Sequence, residues 1–554
     1  MSERGSFVAD LAHWAATQPD VPWLVEDWSD GRSAFSWSEG AAEIRRAVAA
    51  LHDQLGGAAG KKVALLANNR AHWMLADLAT MFSGNVLVPL FTTMNADTIE
   101  YIEELVDIDM LFLGPAENWD EVKSCFKTGI PIVRLPGAPD VEGSVSWAEF
   151  VDPYPADAEI QCDDSALATI VFTSGTTGKP KGVMHSLQTL REASHGVGLA
   201  CATQPGWRFI SYLPLAHMGE RVVVESHALT FGGSIYFNEN QATFLNDLRQ
   251  TRPQWMLGVP RIWEKLQQAV YAHVLSPQAL DEARSAGSLE EARAQVQEFL
   301  GLTDAEFILT STAPTPAPLK AWYEEVGIEL HDGYGQSEIL PISVNRKGLR
   351  KAGSIGQAAH GVELCIADNG EILSRAPGTA LGYYQSPEKT AETFGEDGWV
   401  HTGDRGYIDE DGHLYITGRV KEIFKTAKGK YVAPAPIEGR FLETPLAEQA
   451  CLTGMGLAQT VLLVVPSESG GAMEKADLHS SLLDSVRQLN SSLDKHERIG
   501  ALIVSGTPWA LENGFLTHTL KLKREQIEST YDAEIAAAGE RMRGGESLFL
   551  EEAG

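Results

Sequence analysis

The sequence predicts an α/β protein with three parts: a large N-terminal domain of layered α/β subdomains, a small antiparallel β unit, and a small α+β C-terminal domain. Three observations predict it. Short apolar strands alternate with amphipathic helices from residue 39 to 91 and again over 166–260, the pattern of helices layered on a largely parallel sheet. Residues 353–418 switch to short β-type runs divided by Glu-Asp-Gly turns at 396–398 and 410–412. Beyond Gly418 a basic, β-rich start leads into mixed helical and strand patterns that continue to the end.

Element by element, Leu11, Trp14 and Ala15 share one helix face near the start. Residues 39–55 form an amphipathic helix, with Ile44, Val48 and Leu51 recurring at helical spacing. Lys62–Ala67 reads as a strand, Trp73–Phe82 as a helix, and Val86–Phe91 as a buried strand. Ala166–Phe172 is an apolar, β-branched run and reads as another buried strand. Residues 278–300, rich in Ala, Glu and Arg, read as a polar helical excursion into solvent, and 466–472 as a surface loop.

Length and charge narrow the function. A chain of 554 residues forms more than one domain. With 44 basic against 75 acidic residues the net charge is −31, which argues against nucleic acid as a partner and against broad docking on anionic lipid. An anionic substrate must therefore meet a locally basic site. Five scattered cysteines without a Cys-x-x-Cys pair suit neither a disulfide framework nor a zinc site, and they fit a reducing cytoplasm. The start lacks an apolar signal region, and no apolar run is long enough for a transmembrane segment.

The most informative stretch is Thr173-Ser174-Gly175-Thr176-Thr177-Gly178-Lys179-Pro180-Lys181-Gly182. Its glycines let backbone approach an anion, its hydroxyls donate, and Lys179 and Lys181 add charge. The spacing is not that of a Walker loop, because only two residues separate Gly175 from Gly178 and Pro180 follows the lysine. Further on, Gly333-Tyr334-Gly335-Gln336-Ser337-Glu338 reads as a tight turn offering a flat ring and a hard oxygen ligand suited to Mg²⁺. His401-Thr402-Gly403-Asp404 sets a carboxylate beside a turn, where it can accept from a diol. Gly418-Arg419-Val420-Lys421-Glu422 stands where composition changes, and Thr519–Arg524 adds a late basic cluster. Taken singly, these also fit plain turns, an Asx-turn at Asp404 and solvated basic surface.

In this order and spacing the motifs resemble the adenylate-forming superfamily along essentially the whole chain. Tyr212–Arg221, Val259–Lys265, Glu422–Lys425 and Leu516–Arg524 are similar to its long-chain acyl-CoA synthetase branch. The resemblance implies an N-terminal AMP-binding domain over 1–418 and a mobile C-terminal lid over 419–554, hinged near Lys421. It implies ATP-dependent conversion of a fatty acid to an acyl-adenylate, then transfer to CoA, with Mg²⁺ as cofactor. The loop 173–182 would hold the β- and γ-phosphates, and Glu338 with Thr173 the Mg²⁺. Tyr334, with Gly333, Gly335 and Ser337 around it, would stack on adenine, and Asp332 would accept from its amino group. Asp404 and Arg419 would bind the ribose hydroxyls, and Lys521 would serve both the α-phosphate and the attacking carboxylate. His217 would line the acyl entrance, or else be an interior histidine satisfied by hydrogen bonds.

Other readings are a medium-chain or aryl acid–CoA ligase, an acyl-AMP ligase loading a carrier protein, and a non-catalytic acyl or nucleotide binder. Loose membrane association is compatible with an apolar substrate, and the oligomeric state is open, a homodimer included. Two stretches depart from the family pattern: His185 sits two positions before the usual histidine, and Thr310-Ser311-Thr312-Ala313-Pro314 lacks the usual glycine.

Overall fold

The computed structural model describes residues 5–173, 179–511, 513–517 and 521–553. Two large sheets build the N-terminal part. In the first, Leu167–Thr173, Val86–Leu90, Lys62–Leu66, Met110–Leu113, Ile132–Arg134 and Val145–Ser146 run parallel, and Lys181–Ser186 and Gly382–Tyr383 close one edge antiparallel. The inner strands are apolar throughout because helices cover both faces; Val63 to Leu66 and Met110 to Leu113 are fully buried. The helix Trp37–Gln54 starts at a capping box, Ser36 with Glu39, and buries Ile44, Val48 and Leu51 as its spacing predicts.

The second large sheet has nine strands. Leu330–Gln336, Phe307–Thr310, Trp255–Gly258, Arg208–Ser211, Ser234–Phe237 and Pro22–Trp28 are parallel at its centre. Ile339–Val344 and Gln357–Ala358 flank one side antiparallel, Gly31–Ser36 the other. A separate four-stranded antiparallel sheet follows, made of Glu363–Ile366, Glu371–Arg375, Val400–Ile408 and Leu414–Arg419. Glycines 398 and 412 take φ of +82° and +80° in its turns, as the Glu-Asp-Gly pattern requires. The C-terminal part is a small α+β unit. Ala447–Thr453, Thr460–Pro466, Ile499–Ser505 and Phe549–Ala553 form a mixed sheet packed by Lys475–Asn490 and Asp532–Arg543.

Three local expectations change. The polar segment at 278–300 is two helices, Pro277–Ala286 and Leu289–Leu300, broken at Gly287 with φ +74°. Neither is wholly solvated, since Leu280, Val296 and Leu300 are buried in one cluster with Trp263 and Trp322. The 466–472 loop carries a short helix, Glu468–Gly471, capped by Ser467. Glycines 333 and 335 do not make a turn. They lie in the strand Leu330–Gln336, where a Cβ at 333 would sit 2.8 Å from Leu309 and one at 335 would sit 2.3 Å from Leu340. Close packing favours glycine there, and the turn itself falls at Ser337–Glu338.

Candidate active site

The loop singled out first connects two antiparallel strands. Thr173 ends Leu167–Thr173 and pairs with Lys181, the first residue of Lys181–Ser186. A strand–loop–strand mount differs from the strand-to-helix mount of a Walker loop, in keeping with the sequence spacing. Ser174, Gly175, Thr176, Thr177 and Gly178 lie outside the described residues. The two lysines diverge: the Lys179 ammonium lies over the Tyr101 ring at 4.5 Å, and that of Lys181 over the Tyr383 ring at 4.7 Å. Burial lowers the Lys181 pKa, and Glu338 opposes the shift. The exit of the glycine-rich loop at Lys181 and the carboxylate at 338 therefore occupy one electrostatic neighbourhood.

Glu338 sits in the turn between Leu330–Gln336 and Ile339–Val344, half-buried, and Oε1 accepts a 2.7 Å hydrogen bond from the Tyr383 hydroxyl. His185 supports this turn from below: Nε2 donates to the Ser337 carbonyl at 2.8 Å, and burial holds the ring neutral, its pKa pushed down to about 4. The displaced histidine of the sequence is thus a buried strut for the turn. Among the described residues no group of three or more His, Cys, Asp or Glu forms a metal cage. The donor set fits Mg²⁺ all the same, because that ion keeps water and takes one or two carboxylates while substrate phosphates complete its shell. Glu338 supplies such a carboxylate, and Thr173 a hydroxyl at the strand end.

Beside it, Tyr334 and Gln336 stand two residues apart on one strand. Tyr334 donates its hydroxyl proton to Asp404, and the Gln336 amide donates to Asp404 Oδ2 at 2.6 Å and to the Thr402 carbonyl at 2.8 Å. Burial and the Asp404 charge raise the Tyr334 pKa well above its usual value, so the phenol remains a donor. Arg419 meets Asp404 because they are cross-strand partners in the antiparallel sheet; the guanidinium Nε is 3.1 Å from Oδ1. Burial disfavours the Arg419 cation, but Asp404 and Glu422 outweigh it and its pKa is raised. Asp332 lies deeper, gripped by Lys320 at 2.8 and 3.0 Å, so an adenine contact would be shared with that cation.

Lys521 arrives from the C-terminal unit. Its backbone closes a loop onto Thr517, and residues 518–520 between them lie outside the described set. Arg524 anchors the loop's far side, forking onto Glu438 at 2.7 and 2.9 Å and reaching the Leu452 carbonyl at 2.9 Å. Burial lowers the Lys521 pKa, Arg419 lowers it further, and Asp404, Glu338 and Glu422 resist. Lys521 is thus close enough to sense residues on both flanks of the site. His217 is close too: burial and the Lys521 cation push it down to about 4, and Nδ1 accepts from Gly219 N at 3.0 Å. Lys421 is exposed in the turn that joins the two units, where Val420 N donates to the Gly403 carbonyl at 2.8 Å.

Sequence reasoning missed four residues here: Tyr383, Gln336, Lys320 and Arg524. No motif marks Tyr383 or Lys320, and Gln336 stands within the 333–338 motif without a role of its own there. Arg524 was legible only as one charge in a basic cluster, and its inward direction depends on Glu438, 86 residues earlier.

The profile of the "AMP-binding enzyme" family matches residues 11–384, and that of the "AMP-binding enzyme C-terminal domain" matches 421–543. A long-chain-fatty-acid–CoA ligase of Mycobacterium tuberculosis is 28% identical, with 92% of each chain covered. Fatty acyl-CoA synthetase A of Dictyostelium discoideum is 28% identical over 87% of this chain and 82% of its own. Among solved structures, the anthranilate CoA ligase AuaEII in complex with anthranoyl-AMP superposes with a TM-score of 0.79 at 20% identity, covering 97% of this chain and 99% of that one. ATP-bound MatB from Rhodopseudomonas palustris gives 0.77 at 23%, covering 96% and 100%. The fold is that of the adenylate-forming enzymes, and with two thirds of its length matched by one profile, this chain belongs to the AMP-binding enzyme family.

Proposed function

We propose that this chain is an acid–thiol ligase that activates a long-chain fatty acid with ATP as an acyl-adenylate, then transfers the acyl group to CoA, releasing pyrophosphate and AMP. The observation that carries the reading is the convergence of Lys181, Glu338, Asp404, Arg419 and Lys521, drawn from two sheets, a separate β unit and the C-terminal domain, on one locus. Outside an anion-binding site, a chain of net charge −31 gains little from gathering three cations at one place. The names of the relatives supply the long-chain acid and CoA.

In this reading Asp404 accepts from the ribose hydroxyls while Arg419 holds it in place, and Tyr334 presents its ring to adenine, with Gly333, Gly335 and Ser337 shaping the adjacent backbone. Residues 173–178 with Lys179 and Lys181 take the β- and γ-phosphates. Glu338 and Thr173 would hold Mg²⁺, which when bound neutralises developing phosphate charge. Lys521 draws the carboxylate and the α-phosphate together. The carboxylate attacks α-phosphorus, pyrophosphate leaves, and a thiol then attacks the mixed anhydride. Positioning and charge neutralisation are the protein's main tasks in such a transfer.

His217, neutral at working pH, lines the acyl entrance. The division at 418/419, with Lys421 as pivot, lets the C-terminal domain withdraw Lys521 and bring the exposed Lys425–Lys430 hairpin toward the thiol donor. No helix among the described residues is long and apolar enough to cross a membrane, which is compatible with a cytoplasmic enzyme that takes its acid from solution or a membrane surface.

The test is incubation of the purified protein with ATP, Mg²⁺, a panel of acids and either CoA or hydroxylamine. Acyl-CoA that forms best from C14–C18 acids supports the reading. Optimal turnover of aryl or medium-chain acids replaces the substrate. Hydroxamate without acyl-CoA assigns a carrier-dependent ligase, and neither product a binding protein.

A further inference from the structure

Tyr383 joins the two stretches that the sequence singled out, although nothing in its own neighbourhood of the chain announces it. It lies on Gly382–Tyr383, opposite Val183 of the strand that follows the phosphate loop. The segment around it is stitched on two sides. Leu381 N donates to the Met184 carbonyl and Tyr384 N to the Gly182 carbonyl, each at 2.8 Å, while Ala380 N donates to the carbonyl of Glu338 at 2.9 Å. The side chain is 4% exposed, with Phe394 against its ring at 5.6 Å. One end donates to Glu338 Oε1 at 2.7 Å, and one face carries the Lys181 ammonium at 4.7 Å.

We propose that Tyr383 is the positioning residue for Glu338, holding one carboxylate oxygen so that the other is presented to the divalent cation of the bound nucleotide. The proposal rests on the metal-ligand reading of Glu338 above. A glutamate side chain is flexible, and ordering it at the moment of binding costs conformational entropy. A phenol has only two side-chain torsions, and this one is already fixed by backbone bonds on both sides. A phenol is neutral in the working range, so it donates its proton to the carboxylate without adding charge.

Neutrality matters for the metal. A lysine in the same place would cancel the carboxylate charge that attracts the cation. Among the described residues Glu338 makes no ion pair, although Lys181 is near enough to feel its field. The aromatic face gives that ammonium another attractive seat. The ring thus leaves the carboxylate for the metal and the ammonium for phosphate.

The test is Y383F, which keeps the ring and removes only the hydroxyl. Mn²⁺, a paramagnetic stand-in for Mg²⁺, is titrated into the enzyme with α,β-methylene-ATP, and free Mn²⁺ is read by electron paramagnetic resonance. Loss of an outer hydrogen bond to a metal ligand weakens metal affinity by about 10–100-fold. That loss is expected for Y383F, with metal-free binding of the analogue changed less than about twofold and the melting temperature held. E338Q is expected to lose at least as much, and the double variant no more than E338Q, because both act through one carboxylate. Wild-type Mn²⁺ affinity in Y383F beside a weakened E338Q overturns the role of Tyr383 and leaves Glu338 standing. Wild-type affinity in E338Q overturns the Glu338 reading itself. An equal loss of metal-free nucleotide binding in Y383F marks general loosening and also overturns the proposal.

Discussion

Replacing Lys521 by alanine is expected to separate the two half-reactions. The lysine is a cation that the C-terminal domain brings to the center defined by Glu338, Asp404 and Arg419, and its surroundings lower its pKa. Its removal leaves the negative charges of Asp404, Glu338 and Glu422 less opposed as a triphosphate and a carboxylate enter together. A unit charge 4 Å from a developing anion is worth about 4 kcal/mol at an effective dielectric of 20. Loss of one preorganised donor to a transition-state anion elsewhere costs about 10²–10³ in rate. K521A should therefore slow acyl-adenylate formation by about 10²–10³-fold, measured as acid-dependent ATP–pyrophosphate exchange. Conversion of supplied acyl-adenylate and CoA to thioester should fall by less than about fivefold, because in the proposed reading a pivot at Lys421 withdraws Lys521 before that step. The pH dependence adds a sign. The cation is the active form and its pKa lies below the usual lysine value, so exchange by the free enzyme should decline as pH rises through that lowered pKa. K521R, charged throughout, should show no such decline. Equal losses in both half-reactions would refute the division of labour.

Other consequences are independent of that one. His185 is buried neutral with its pKa near 4 against an unfolded value near 6.5, so the unfolded chain binds its proton first as pH falls. Its contribution is complete above pH 6.5 and is lost between 6.5 and 4 at up to about 1.4 kcal/mol per pH unit; urea midpoints of H185Q should show a pH slope shallower by that amount. Thr312, a β-branched residue at φ +73°, is held in the left-handed region and is strained there. T312G should raise the unfolding free energy by about 1 kcal/mol in urea titration, and an unchanged or lower midpoint would remove the strain from Thr312. Arg261 of the N-terminal part and Glu448 of the C-terminal part are 2.7 Å apart but half-exposed. R261E or E448R alone should change the ratio of the two half-reaction rates by less than about fivefold, with less than about 1 kcal/mol lost in stability, and the charge-swapped pair should restore the ratio.

Legibility followed the range of the interaction. The helix Trp37–Gln54 and the strands Lys62–Leu66 and Val86–Leu90 came within two residues of their expected bounds, since apolar period and capping are local. The break at Gly287 was missed because alanine-rich composition hid a left-handed cap. Glycines 333 and 335 looked like turn residues. They serve packing against Leu309 and Leu340, and only the contact distinguishes the two uses.

The sequence by itself determined the fold class and an antiparallel unit within 353–419, because residue type and near spacing encode backbone period and turn conformation. Tertiary structure alone decided that Tyr383 meets Glu338, that Arg419 stands opposite Asp404, that Asp332 is gripped by Lys320, and that Arg524 anchors the loop bearing Lys521. Strand register and the packing of sheets and helices on one another set those pairs. Both are settled by burial summed over whole faces, which no single residue along the chain carries.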